Sequence, residues 1–92
     1  MASKGKPNRL YLCLHAEQKA KERNIDEQDI KQTLYYPDRT KPTRRRHRKI
    51  AERAFNSGAY TVQVVYSIEE DQFGPMFNVI TVMKKKRKGG RR

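Results

Sequence analysis

Two runs rich in β-branched and aromatic residues, "TVQVVYSI" at 61–68 and "FNVITVM" at 77–83, flank the acidic turn "EEDQFGP". Runs of this kind separated by a polar Gly/Pro turn predict an antiparallel hairpin. In the first run Val62, Val64, Tyr66 and Ile68 share one face, with Thr61, Gln63 and Ser67 on the other. One face is therefore expected to pack on helices while the other meets solvent or ligand.

The helices are expected upstream. Ala16, Ala20 and Arg23 recur at helical spacing beside a stripe of His15, Lys19 and Glu22, which predicts a short helix over 15–23 with a small apolar face. Asp26 followed by Asp29 resembles a capping box and predicts a second helix from about Glu27, with Ile25 packing on Ile30 as a staple and Leu34 one turn further on. Pro37 stops that helix at Tyr35 or Tyr36. "LYLCL" at 10–14 suits a short extended entry, whereas "RKIAERAF" at 48–55 suits a helix by its apolar stripe and a strand by its place before Gly58.

A chain of 92 residues has room for one modest core and one domain. Its formal net charge of +12 favours polyanionic partners, nucleic acid first. The charge is concentrated: residues 39–49 and 84–92 hold seven Lys and Arg each, 14 of the 22 in the chain. Between positions 10 and 36 four basic residues face five acidic ones, the balance of an ordinary solvated helical surface. The expected organisation is a flexible N-terminus over 1–9, an α+β domain over 10–84 with a basic insert at 39–49, and a flexible basic tail over 85–92.

No apolar stretch is long enough to span a bilayer, and "MASKGKPNR" lacks the apolar segment of a secretory signal. Cys13 is the only cysteine, so no internal disulfide forms and no zinc-ligand spacing exists. A cytoplasmic protein without metal or cofactor is the expectation. Glu69, Glu70 and Asp71 at the hairpin turn read as solubilising charge rather than as metal ligands.

The ordered pattern His15-Ala16, Lys19-Ala20, Glu22-Arg23-Asn24-Ile25, Asp29-Ile30, Thr33-Leu34 and Pro37-Asp38, followed by "VVYSIEED" and "VITVM", resembles the domain-of-unknown-function family numbered 4258 across about residues 14–84. That family is grouped with the barnase, EndoU, colicin and RelE-like proteins, many of them metal-independent ribonucleases deployed as toxins. The resemblance implies an α+β fold in which two N-terminal helices pack on a four-stranded antiparallel sheet. Under it, 38–42 and 49–55 become strands one and two, and the hairpin supplies strands three and four.

Metal-independent RNA cleavage needs a base for the 2′-hydroxyl, an acid for the leaving oxygen and cations for the charge developing at phosphorus. The resemblance points to His15, Lys19 and Arg23 as the catalytic set, with Arg53, Tyr66 and Thr81 able to contribute from the sheet. His15 reads equally as a helix-ordering residue, and Arg23 as an anchor of the helix–helix turn. The cationic residues Arg44, Arg45, Arg46, His47, Arg48, Lys49, Arg53, Lys84, Lys85, Lys86 and Arg87 are the candidates for nucleic-acid contact. RNA is the leading partner, in a toxin-like ribonuclease. A non-catalytic nucleic-acid or ribosome-associated module, or a domain paired with an acidic protein such as an antitoxin, are the alternatives.

Overall fold

The structure is a computed structural model that describes Pro7 and residues 9–86. Its elements run β1 (Leu10–Leu12), α1 (Leu14–Glu22), α2 (Glu27–Tyr35), β2 (Arg39–Pro42), β3 (Lys49–Phe55), β4 (Tyr60–Asp71) and β5 (Gly74–Lys86). The sheet order is β1-β5-β4-β3-β2. The α+β class and both helices agree with the sequence reading, and residues 49–55 are a strand.

The sheet itself corrects the four-stranded antiparallel expectation. It has five strands and is mixed, because β1 joins as a parallel partner of β5, with Leu10 opposite Phe77 and Leu12 opposite Val79. A three-residue segment carries too little alternation to announce a pairing. Its contribution comes from position: it covers part of a β5 edge that would otherwise present unpaired backbone groups. Beyond Val79 that edge passes to the two ends of α1, where the N-cap Cys13 thiol and the C-cap Arg23 guanidinium donate to the carbonyls of Ile80 and Val82, each at 3.5 Å.

The helices pack on one face of the sheet, α1 along β5 and α2 over β3 and β4. Ala16, Ala20, Ile30 and Leu34 meet Val62, Val64, Val79 and Val82 in the core. Small alanines on α1 allow its backbone to approach the sheet closely. Between the helices, Ile25 N–H donates to Ala20 C=O at 2.8 Å and Asn24 N–H to Lys21 C=O at 3.2 Å, while Asn24 takes a φ of 58°. This is a Schellman stop with asparagine in the left-handed position and Ile25 and Ala20 buried against it.

Asp26 occupies the N-cap of α2 with extended backbone, but its carboxylate makes no capping bond, contrary to the capping-box expectation. Asp29, the other half of that pattern, instead accepts from the Tyr60 hydroxyl at 2.8 Å. A tertiary partner takes the carboxylate that local sequence assigned to the cap.

The β4–β5 hairpin is confirmed, closed by Gln72 and Phe73 between the paired Asp71 and Gly74. Gly74 has a φ of 109°, which only glycine adopts without strain. Val65 pairs with Thr81 and Tyr66 with Val79, leaving Ile80 as an extra residue in β5. This bulge shifts the inward phase of β5 from Phe77 and Val79 to Val82 and Lys84. Ile68, expected to share the buried face of β4, is 55% exposed because the hairpin arm extends beyond the helices.

Candidate nucleic-acid interface

The β2–β3 connection, residues 43–48, presents most of the first basic segment. Thr43 organises it: Arg45 N–H donates to Thr43 Oγ1 at 3.0 Å, and the same hydroxyl lies 2.9 Å from the Arg45 carbonyl and 3.1 Å from that of Arg48. Arg48 N–H closes the turn on Arg45 C=O at 3.1 Å. The connection is thus a defined turn rather than a plain spacer, with Arg44, Arg45, Arg46 and His47 all exposed.

Acidic partners divide the cations of the domain into two sets. Arg9 pairs with Asp71, Lys19 with Glu22, Arg39 and Lys41 with Glu52, and Arg53 with Asp38. Among the described residues, none of the side chains of Arg44, Arg45, Arg46, Arg48 and Lys49 makes an ion pair. Five uncompensated cations on one turn and the adjoining strand residue create a local positive field available to an external anion.

Lys49 opens β3 directly opposite Tyr66. Because β3 begins there, β4 beyond Tyr66 has no neighbour on that side, and the turn folds against it. Arg46, His47 and Lys49 line a depression of about 240 Å³ with Tyr66, Ser67 and Ile68. Phe77 holds the Tyr66 ring edge-on at 5.4 Å, and burial pushes the phenol pKa up. Ser67 Oγ donates to the Glu69 carboxylate at 2.9 Å.

The second basic segment lies elsewhere. Lys86 pairs with Tyr60, at the opposite end of β4 from Tyr66. Six residues of strand at roughly 3.3 Å each separate the two groups by roughly 20 Å. Lys84 serves the fold, donating to the Asn24 carbonyl at 3.3 Å and standing 4.4 Å from the centre of the Tyr60 ring. Lys85 and Lys86 carry no ion pair among the described residues and border a depression of about 310 Å³ with Glu52, Thr61 and Gln63. Of the tail expected over 85–92, Lys85 and Lys86 belong to β5, paired with Thr61 and Tyr60, and residues 87–92 (Arg87 among them) lie outside the described residues, as does most of the N-terminal segment.

Arg53 proves to be occupied. Its guanidinium donates to the Tyr36 carbonyl at 2.6 Å at the end of α2, stands over Phe55 and reaches Asp38 at 4.0 Å. Glu52 is a residue the sequence reading passed over. Its carboxylate accepts from Gln63 and pairs with Lys41 at 3.1 Å and Arg39 at 3.7 Å, and that hydrogen bond and those cations hold it below the usual carboxylate range. A signal was present, since Glu52 is the only acid between Asp38 and Glu69.

The α1 candidates occupy successive turns. His15 is exposed, and its side chain makes no hydrogen bond or ion pair among the described residues. Lys19 pairs with Glu22 at 3.5 Å, and Arg23 donates to the Val82 carbonyl. The structure therefore puts the exposed His15 and the half-buried Lys19 on one side of the helix and turns Arg23 toward the sheet edge. Thr81 lies on β5 beside the bulge. Among the described residues no cluster of three His, Cys, Asp or Glu could hold a metal ion, and no helix is long and apolar enough to cross a membrane.

Fold and surface charge define a small basic α+β domain, two helices on a five-stranded mixed sheet, with a cationic turn free of ion pairs among the described residues at the start of β3. Across residues 13–84 the sequence matches the family described as Domain of unknown function (DUF4258), and the chain belongs to that family. No curated protein and no solved structure matches it.

Proposed function

We propose that this domain binds RNA through its phosphate backbone, with the β2–β3 turn as the principal contact. One observation carries the reading: the cations at positions 44–46, 48 and 49 lack acidic partners among the described residues and stand together at one turn, while Lys21, Arg23, Lys31 and the three lysines that end β5, also without ion pairs, are spread over the helical side and the far end of the sheet. Surface cations kept clear of carboxylates on a turn pinned by Thr43 suit an external polyanion. The wider group to which the sequence resemblance points contains many metal-independent ribonucleases, which agrees with an RNA ligand.

Contacts of this kind position a strand without reading its bases. Affinity is therefore expected to vary little with sequence and to fall steeply with salt. The test is binding of a single-stranded RNA across a salt series, for wild type and for the triple variant Arg44→Gln, Arg45→Gln, Arg46→Gln. At about 0.7 per phosphate contact on a single strand, the triple variant should lower the log–log salt slope by about 2. An unchanged slope removes the turn from the interface.

RNA cleavage is a second reading, favoured by the presence of His47 in the same depression as Arg46 and Lys49.

A further inference from the structure

The part of the β4–β5 hairpin that extends beyond the helices carries three kinds of side chain in order on one face. Tyr66, Ile68 and Glu70 alternate along β4 and so share a face, about 7 Å from each to the next. Lys49 stands cross-strand from Tyr66, while Ile68 and Glu70 stand cross-strand from Phe77 and Pro75. That face therefore presents a cation, an apolar group and an acid in line: Lys49 at the start of β3, Ile68 in the middle and Glu70 near the tip. We infer that it is a self-association surface, on which a second copy of this chain packs across a two-fold axis at Ile68. The inference is independent of the RNA-binding reading, although it engages part of the same turn.

Every member of the pattern is left open by the fold. Tyr35, the last residue of α2, reaches Phe77 edge-on at 5.5 Å but leaves its strand neighbour Ile68 55% exposed. The side chains of Glu70 and Lys49 are exposed and make no hydrogen bond or ion pair among the described residues, with each other or with any third group. A two-fold axis through Ile68 reverses the order on the facing copy. Glu70 of each copy then meets Lys49 of the other, and the two Ile68 side chains meet at the centre. Such a contact is isologous, the same patch serving both copies, and it closes after two. Arg46 and His47 lie beside Ser67 and Ile68 and add positive charge on the side where the partner's Glu70 arrives.

The net charge of +12 opposes association at long range. At about 0.15 M salt the Debye length is about 8 Å, so this repulsion is largely screened while opposite charges in contact still attract. The patch is small, and the pair is correspondingly weak and concentration-dependent. Because the paired form sets a carboxylate against Lys49 and its neighbours, it withdraws those cations from any other anion.

The test is sedimentation velocity of the full chain, freed of nucleic acid, at about 0.15 M salt and rising protein concentration. The expected result is a shift from the monomer mass toward twice that mass. Glu70→Lys and Lys49→Glu should each weaken association about tenfold or more, since either change sets like charges opposite one another at both ends of the patch. Mixed in equal amounts, the two variants should associate again, one with the other, because both contacts of that pair are oppositely charged. Unfolding cannot produce such a recovery. Ile68→Asp should abolish association with its circular dichroism unchanged. A wild type that stays monomeric up to about 1 mM overturns the inference. So does a dimer that both single variants leave intact, a mixture that fails to recover, or association that disappears once nucleic acid is removed.

Discussion

The Tyr60 hydroxyl donates a 2.8 Å hydrogen bond to the Asp29 carboxylate and so ties the start of β4 to the first turn of α2. That bond is the first cause of the raised Tyr60 pKa, ahead of burial and the nearby Asp29 and Asp26 charges. A tyrosine with a raised folded-state pKa stabilises the fold fully below its unfolded value and loses that contribution as pH rises through the folded value. Tyr60→Phe should therefore lower stability by about 1 kcal/mol at neutral pH. Wild type and variant should converge only as pH rises past the raised folded-state value, which chemical denaturation at several alkaline pH values will measure.

Glu52 titrates in the opposite sense. Its pKa is depressed by the Gln63 hydrogen bond and by Lys41 and Arg39, so its contribution is present above the unfolded value near 4.5 and lost as pH falls through the folded one. Its cationic partners are well exposed, which limits the effect to about 1 kcal/mol. Glu52→Gln should unfold at a lower midpoint than wild type at pH 7 and lose less on acidification to pH 3. Urea melts at the two pH values provide the comparison.

In α2 the packing contribution should far exceed that of the cap. Ile30 is fully buried, and Ile30→Ala is expected to cost about 2–5 kcal/mol. Asp26 makes no side-chain capping bond and is left with its favourable charge at the helix N-terminus, so Asp26→Ala should cost under about 0.5 kcal/mol. Thermal unfolding of the two variants side by side tests the ranking. A cost for Asp26→Ala near that of a bonded cap, about 1 kcal/mol, would reinstate the capping box.

The three lysines at the end of β5 should separate by function. Lys84→Gln removes the contact with Asn24 and the charge over Tyr60, and should lower stability by about 0.5–1 kcal/mol with little change in the salt slope. Lys85→Gln with Lys86→Gln should leave stability unaltered and reduce the slope of RNA binding by about 1.4 on a single strand. Melting curves paired with salt titrations check both halves.

Much of this protein was legible without a structure, wherever the controlling interactions are local. The alternation in 61–68 and 77–83 with a Gly-containing turn determined the hairpin, the helical spacing of Ala16, Ala20, Ile30 and Leu34 determined the inward stripes, and Pro37 marked the end of α2. The concentration of cations in two segments was equally plain. Only the tertiary structure decided the rest. Three residues of β1 cannot specify a parallel partner 67 positions away, Leu10 to Phe77, because that choice depends on which edge of β5 is left open. The bulge at Ile80 is invisible to a count of alternating residues, yet it decides that Lys84 turns toward Tyr60 and Asn24. Sequence could count the cations, but whether one is free depends on where folding brings a carboxylate: Glu52 reaches Arg39 and Lys41 through the β2–β3 register, Asp38 reaches Arg53, and among the described residues no acid reaches the turn that Thr43 holds out. Charge pairing acts over a few ångströms between residues distant in the chain, so which cations stay free of carboxylates was decided by the fold.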